Sequence, residues 1–286
     1  MGMLINLDGE ISTNATISVL DRGFLYGDSV YEVVRTFQGK PFGLVEHLAR
    51  LKQSAAYLYL SLPWLDEYII QEVNRTLAAA GPGEYYIRIV VTRGADPRIG
   101  LLPQAETKPR LLIALQPIAP EPQLSSTGLR VTVPPRQRVS LKALDPAAKT
   151  GNYLNNILAL LEAQANGADD AILLNPEGAI TEATTSNLWI VRKGMVETPT
   201  KESGILHGIT RQFLLDILCE KDIPHQEREL FPVDLVTADE AFLSSSVRLL
   251  MPIAQVDDYP FPECPGPVTK LLWTALIAKM AQTTAS

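Results

Sequence analysis

The chain has 286 residues, a formal net charge of −7, and 46% hydrophobic and 20% charged residues. This size and composition predict one large or two ordinary globular domains with ample core. The acidic balance argues against nucleic-acid binding, which needs a basic face, and no apolar run reaches the roughly 18 residues of a membrane span. No secretory signal is visible, so a cytoplasmic location is expected.

The first part of the chain predicts a smaller α+β domain over residues 1–118. Alternating β-branched and aromatic residues favour strands, and apolar residues at helical spacing favour helices. The predicted elements are strands and turns over 4–37, helices over 45–58 and 69–77, and strands over 84–94 and 110–118.

A proline-rich stretch, residues 119–128, is the best linker in the sequence. Residues 129–286 then predict a larger α/β domain, in which helical and strand patterns follow one another. The predicted strands are 129–133, 170–175, 187–191, 195–199 and 240–246, and the predicted helices are 153–167, 209–222 and 267–282.

Several common chemistries have no motif in this sequence. There is no G-x-S-x-G elbow, P-loop or dinucleotide-binding G-x-G-x-x-G. The three histidines are not at metal-ligand spacing, so no metal site is predicted, and His47 is interpreted as a packing or hydrogen-bonding residue. Lysine, arginine and carboxylate chemistry is what remains.

The stretch DPAAKTGNYLNN sets Lys149 just before a predicted helix. A surface lysine is the simple interpretation. A lysine that acts on a carbonyl usually forms a Schiff base, and the commonest carbonyl cofactor is pyridoxal 5′-phosphate. Such a site also needs a phosphate cradle, a partner for the pyridine nitrogen and walls for the ring.

Candidates for the phosphate and the ring nitrogen can be found in the sequence. Gly208, Ile209 and Thr210 begin a predicted helix, whose free N–H groups favour an anion, although Thr210 could simply cap it. Arg50 could add a charged contact or lie on a solvated helix face, and Ser244–Ser246 offer hydroxyls or a plain turn. Glu182 could keep a pyridine nitrogen protonated, or be an ordinary acid at a strand end.

Six motifs, in this order along the chain, carry a resemblance to a known family: DRGFLYGDSVYEVVR, EHLARL, KTGNYLNN, ITEATTSNLW, LHGITR and the serine-rich SSSVR. The sequence resembles the class IV pyridoxal-phosphate aminotransferases of fold type IV. That family includes branched-chain and D-amino-acid aminotransferases and aminodeoxychorismate lyase. The resemblance implies a two-domain fold, pyridoxal 5′-phosphate as cofactor, amino-group exchange between an amino acid and a 2-oxo acid, and a homodimer.

The resemblance also implies roles for individual residues. Lys149 resembles the Schiff-base lysine, whereas Lys142, seven residues earlier, does not. Glu182 resembles the partner of the pyridine nitrogen. Leu206 resembles the residue packed on one face of the ring. The residues that resemble phosphate binders are Arg50, Ile209, Thr210 and Ser246.

Substrate recognition is divided between two patterns. Tyr31 and Arg98 resemble the substrate site of the D-amino-acid enzymes, but Gly100 stands where those enzymes usually carry a histidine. Tyr86 and Arg88 resemble the Tyr-x-Arg of the branched-chain enzymes, and strand alternation puts both on one face of a predicted strand. If neither arginine anchors the substrate carboxylate, backbone N–H groups and hydroxyls near Thr184 or Ser245 remain.

Three functions follow from these observations. The favoured one is a transaminase of mixed D-amino-acid and branched-chain character. The second is a lyase that releases pyruvate from aminodeoxychorismate. The third is a non-enzymatic pyridoxal-phosphate carrier, which the presence of both Lys149 and Glu182 disfavours.

Overall fold

The computed structural model describes residues 2–120 and 122–285. The chain clusters into two compact units. Unit 1 comprises Met1–Pro120, Ala148–Asn152 and Thr283–Ser286, and unit 2 comprises Glu121–Ala147 and Tyr153–Gln282. Within the described ranges, no helix combines the length and apolarity that crossing a membrane requires.

Along residues 2–120, the elements of unit 1 are β1 (Leu4–Leu7), β2 (Glu10–Ser12), α1 (Arg22–Tyr26), β3 (Ser29–Phe37), β4 (Lys40–Pro41), α2 (Leu44–Tyr57), α3 (Asp66–Ala80), β5 (Tyr85–Thr92) and β6 (Arg110–Pro117). The strands form a six-stranded antiparallel sheet with the order β2-β1-β6-β5-β3-β4.

The core of unit 1 lies between one face of this sheet and helices α2 and α3. Strand β5 alternates strictly between buried and half-buried positions, so Tyr85, Ile87 and Ile89 enter the core. Leu48 and Leu51 of α2 pack into the same cluster. The opposite face of β5 therefore carries Tyr86 and Arg88, the alternation that the sequence predicts.

The elements of unit 2 are β7 (Leu129–Thr132), α4 (Leu154–Ala165), β8 (Asp170–Leu174), β9 (Ile180–Ala183), β10 (Asn187–Arg192), β11 (Met195–Thr198), α5 (Ile209–Glu220), β12 (His225–Glu227), α6 (Pro232–Val236), β13 (Glu240–Ser245), β14 (Leu249–Val256), β15 (Tyr259–Pro260) and α7 (Pro267–Ala285), with a 3₁₀ turn at Lys201–Ser203. The strands form a nine-stranded mixed sheet with the order β12-β11-β10-β13-β14-β7-β8-β9, and β15 pairs with β14.

This larger sheet is curled. Strand β9 lies at one edge and β10 lies third from the other edge, yet only three residues connect them. Ala183 N–H donates to the carbonyl oxygen of Ser186 across that connection. A flat sheet cannot satisfy both facts, so the strands wrap around the shared core, to which Ile180 and Leu188 both belong.

Three details differ from the sequence-based expectation. Residues 148–152 cluster with unit 1, whereas the expected larger domain began at 129, because main-chain hydrogen bonds tie them to β3. Helix α1 lies within a stretch expected to hold only strands and turns; the Asp21 side chain caps it by accepting from Gly23 N–H. Of the expected linker 119–128, Glu121 lies outside the described residues, and the others are in neither helix nor strand.

Candidate active site

Lys149 is held in place through its main chain. Its carbonyl oxygen accepts a hydrogen bond from Tyr31 N–H of β3 at 3.0 Å, and its own N–H donates to Ser54 Oγ of α2 at 3.0 Å. Its half-buried side chain brings Nζ to 4.6 Å from the centroid of the Tyr31 ring. Lys142, in contrast, is exposed. The structure therefore gives Lys149, of the two, the fixed geometry that a chemical role needs.

A second cationic side chain lies against the ring of Tyr31. The guanidinium carbon of Arg88 lies 3.9 Å from the centroid of the same ring, and Arg88 Nη1 lies 3.5 Å from the hydroxyl of Tyr86. Cations are attracted to the face of an aromatic ring, so Tyr31 orients Arg88 as well as contacting Lys149. Three residues that the sequence predicts for the site are thus together in unit 1.

Arg98 lies in different surroundings. It is exposed and donates to Gln104 Oε1 at 2.6 Å, within its own loop. That loop is held by the buried Arg22, whose guanidinium bonds Asp96 and the carbonyl oxygens of Gly100 and Leu101. The described contacts therefore connect Arg88, and not Arg98, with Lys149 and Tyr31.

Arg50 is buried in a network that sequence reasoning missed. Its Nε and Nη2 donate to the two oxygens of Glu32 at 2.7 Å each, and Nδ1 of His47 lies 2.6 Å from Glu32 Oε2. Burial raises the pKa of Glu32, but the charge of Arg50 and the hydrogen bonds outweigh it and lower this pKa to about 2. The available signal was a charged residue on the core face of β3, which requires a partner.

In unit 2, Glu182 is 4% exposed and accepts hydrogen bonds at both carboxylate oxygens. Its Oε1 accepts from Arg138 Nη2 at 2.6 Å, and its Oε2 accepts from Asn187 Nδ2 at 3.0 Å and from Leu206 N–H at 3.1 Å. These donors, one of which is cationic, stabilise the ionised carboxylate. Glu182 and Leu206 were expected at the site from the sequence, whereas their contacts with Arg138 and Asn187 were not.

The residues after Leu206 lead into helix α5. Gly208 is its N-cap and has no side chain to cap the first turn, so the N–H groups at Ile209 and Thr210 are placed as an anion site would need. A Cβ added at Gly208 would overlap Asn187 Oδ1, which explains the glycine. Glu182, Leu206 and this helix start are thus brought together by Asn187.

Two further predicted site residues have local partners. The Thr184 hydroxyl is buried and donates to Asp170 Oδ1 at 2.5 Å, and the Thr184 carbonyl oxygen accepts from Asn156 Nδ2. The Thr184 hydroxyl thus has a partner within unit 2, and the substrate contact expected at Thr184 stays a prediction. Ser246 is half-buried just beyond β13, while Ser244 of that strand accepts from Trp189 Nε1 at 2.9 Å.

Comparison with known proteins identifies relatives over most of the chain. Residues 29–256 match the family model for class IV amino-transferases. A putative branched-chain-amino-acid aminotransferase of Methanocaldococcus jannaschii is 37% identical over 89% of this chain and 88% of its own. A D-alanine aminotransferase of Listeria monocytogenes is 34% identical over 90% of this chain and 88% of its own.

A solved structure agrees with this result. The branched-chain aminotransferase of the thermophilic archaeon Thermoproteus uzoniensis, determined with norvaline, superimposes with a TM-score of 0.89. It is 33% identical, and the alignment covers 98% of this chain and 96% of that one. The fixed Lys149, the buried Glu182 and these matches lead to one conclusion: the chain belongs to the class IV aminotransferases.

Proposed function

We propose that this transaminase uses pyridoxal 5′-phosphate to exchange amino groups between aliphatic amino acids and 2-oxo acids, with Lys149 as its catalytic residue. The observation that carries the proposal is the double main-chain hold on Lys149, together with the position of its amine 4.6 Å from the ring of Tyr31, which Arg88 also contacts. The lyase alternative is not favoured, because the relatives reported above are named as aminotransferases.

The residues present fit this cofactor. In unit 1 the guanidinium of Arg50 suits an anionic phosphate, and in unit 2 the uncapped start of α5 at Gly208 suits an anion as well. A ring nitrogen that must stay protonated suits the ionised, buried Glu182. When bound, the cofactor supplies an aldehyde that takes up the amino group and a ring that accepts the electron pair from the substrate Cα.

The chain's own residues have distinct tasks in this proposal. Lys149 Nζ holds the cofactor between turnovers and moves the proton of the substrate Cα. Glu182 keeps a negative charge beside the ring nitrogen, Leu206 covers a face of the ring, and Ser246 assists the phosphate binders. A positioned base of this kind contributes about 10²–10⁴-fold to the rate.

Arg88 is the proposed anchor of the substrate carboxylate. It lies on the same tyrosine ring as Lys149, whereas the described contact of Arg98 is with Gln104 of its own loop. The relatives named for branched-chain amino acids and for D-alanine leave both substrate classes to be tested. The homodimer and the cytoplasmic location expected from the sequence stay predictions.

A half-reaction screen tests this function. Loaded enzyme is mixed with single L- and D-amino acids, and the cofactor absorbance is followed. Aliphatic amino acids should change the absorbance of the bound cofactor, and a 2-oxo acid such as pyruvate should restore the original absorbance. Release of pyruvate from aminodeoxychorismate, with no conversion by any amino acid, would contradict the proposal and support the lyase.

A further inference from the structure

Glu32 is a charged residue in the hydrophobic core of unit 1. Strand alternation puts it on the same face of β3 as Val30 and Val34, and all three side chains are fully buried. A buried carboxylate costs several kcal/mol unless it is paired and hydrogen-bonded. Its placement therefore calls for an explanation beyond packing.

The pairing of Glu32 with Arg50 fixes an orientation as well as a charge. Both carboxylate oxygens are engaged, one by Nε and the other by Nη2, at 2.7 Å each. Two parallel hydrogen bonds hold a planar guanidinium in one plane. The Nη1 side of Arg50 consequently points away from Glu32 in a defined direction.

His47 supports the same arrangement. Its Nδ1 lies 2.6 Å from Glu32 Oε2, and an ionised carboxylate can only accept, so this nitrogen carries the proton. Burial lowers the pKa of His47, and Arg50 and Lys149 lower it further, against the effect of Glu32. A neutral His47 thus completes the hold on Glu32 without adding a second positive charge.

The same face of α2 reaches Lys149. Ser54, one turn after Arg50, donates its hydroxyl to the Arg50 carbonyl oxygen at 2.9 Å and accepts from Lys149 N–H at 3.0 Å. Ser54 thereby connects the turn of α2 that carries Arg50 with the segment that carries Lys149. Glu32 is the buried anchor of this connected set.

We propose that Glu32 is a positioning residue that orients Arg50 toward the phosphate of the cofactor. This inference rests on the proposed function, which assigns the phosphate contact to Arg50. The consequence is that Glu32 contributes to the preference of the enzyme for pyridoxal 5′-phosphate over pyridoxal, which lacks the phosphate. Without Glu32, the side chain of Arg50 must be ordered when the phosphate binds, and this entropic cost weakens the contact between Arg50 and the phosphate.

The experiment measures equilibrium binding of both ligands to cofactor-free enzyme, by fluorescence or absorbance titration. The quantity of interest is the ratio of the two dissociation constants. Glu32→Gln should reduce the preference for pyridoxal 5′-phosphate by about tenfold, while binding of pyridoxal changes little. When Arg50 is already replaced by Lys, adding Glu32→Gln should not change the ratio of the two dissociation constants any further.

Two further variants make the test decisive. Glu72→Gln is the matched control, because Glu72 is another buried acid of unit 1, paired with Arg75 and Asn6; it should keep the wild-type ratio. Glu32→Asp retains the charge but shortens the side chain, and it should fold and lose part of the preference even if Glu32→Gln does not fold.

The outcomes separate this inference from the proposed function. If wild-type enzyme prefers the phosphorylated cofactor but both Glu32 variants keep that preference, Glu32 is only structural and the inference is wrong. If the wild-type enzyme itself shows no preference, the assigned phosphate site fails, and the inference fails with it.

Discussion

Tyr31 and Lys149 are joined by a main-chain hydrogen bond of 3.0 Å from the Tyr31 N–H to the Lys149 carbonyl oxygen. The same two side chains approach each other, with Lys149 Nζ 4.6 Å from the tyrosine ring. Strand β3 of the antiparallel sheet thereby fixes the main chain of a lysine 118 positions later in the chain. Rigid support of this kind is what a catalytic group requires.

Glu182→Gln should keep the cofactor bound but slow the chemical step. The amide cannot supply the negative charge that a protonated ring nitrogen needs, and this charge matters most as electrons move into the ring. The loss should appear mainly in the rate of the chemical step, measured in single-turnover half-reactions, and therefore in kcat. Glu177→Gln, in an exposed turn, is the control and should react at the wild-type rate. An unchanged rate in Glu182→Gln would remove this residue from the site.

Arg88→Ala should raise the apparent KM for amino acids much more than Arg98→Ala does. An arginine–carboxylate contact contributes roughly 1.5–3 kcal/mol, or about 10–150-fold in kcat/KM. Primary amines without a carboxylate should be affected little by either change. Steady-state kinetics with an amino acid and a matching amine measures both effects. Equal kinetics of Arg88→Ala and wild type for every amino acid would show that the carboxylate is held elsewhere.

Gly208→Ala should destabilise the protein and impair turnover together. The added methyl group overlaps Asn187, whose amide donates to Glu182. Overpacking of this kind costs about 1–3 kcal/mol, visible as a lower Tm by calorimetry. Gly100→Ala is the stability control, because a Cβ there meets open space, and its Tm should not change. A wild-type Tm and kcat in Gly208→Ala would contradict the tight packing described.

Stability should fall in acid over a window set by Glu32. Its pKa is lowered to about 2 in the folded protein, so the unfolded chain binds a proton first as the pH decreases. The stabilisation by Glu32 is fully present above its ordinary pKa near 4.5 and is lost as the pH falls toward 2. The pKa of His47 is also lowered in the folded protein. The stabilisation that comes from a neutral His47 is therefore lost as the pH falls below the ordinary pKa of histidine, 6.5.

Urea unfolding of the cofactor-free protein at several pH values measures this dependence. Glu32→Gln should be less stable at pH 7 and should lose less stability between pH 4.5 and 3 than wild type. The control His225→Gln should keep the wild-type dependence over the same range. If the free energy of unfolding fell with pH in the same way in wild type and Glu32→Gln, protonation of Glu32 would not be coupled to unfolding, and this prediction would be wrong.

Local patterns predicted much of this structure. The alternation along β5 correctly separates Ile87, in the core, from Arg88 on the opposite face. The motif around Lys149 predicted a chemical role for this lysine, but it did not predict that Lys149 belongs to unit 1. The hydrogen bond that ties Lys149 to Tyr31 joins residues far apart in the chain and has no local signature. Likewise, the pairing of Arg138 with Glu182, 44 positions apart, has no local signature. Helix α1 was missed because five residues are too few to show a helical period.

The most direct test of the central claim is to locate the covalent link to the cofactor. The loaded protein is reduced with borohydride and digested, and the peptides are analysed by mass spectrometry. We expect the pyridoxyl phosphate label on Lys149, its loss together with turnover in Lys149→Ala, and normal labelling and turnover in Lys142→Ala. A label on Lys142, or a labelled and active Lys149→Ala, would contradict it.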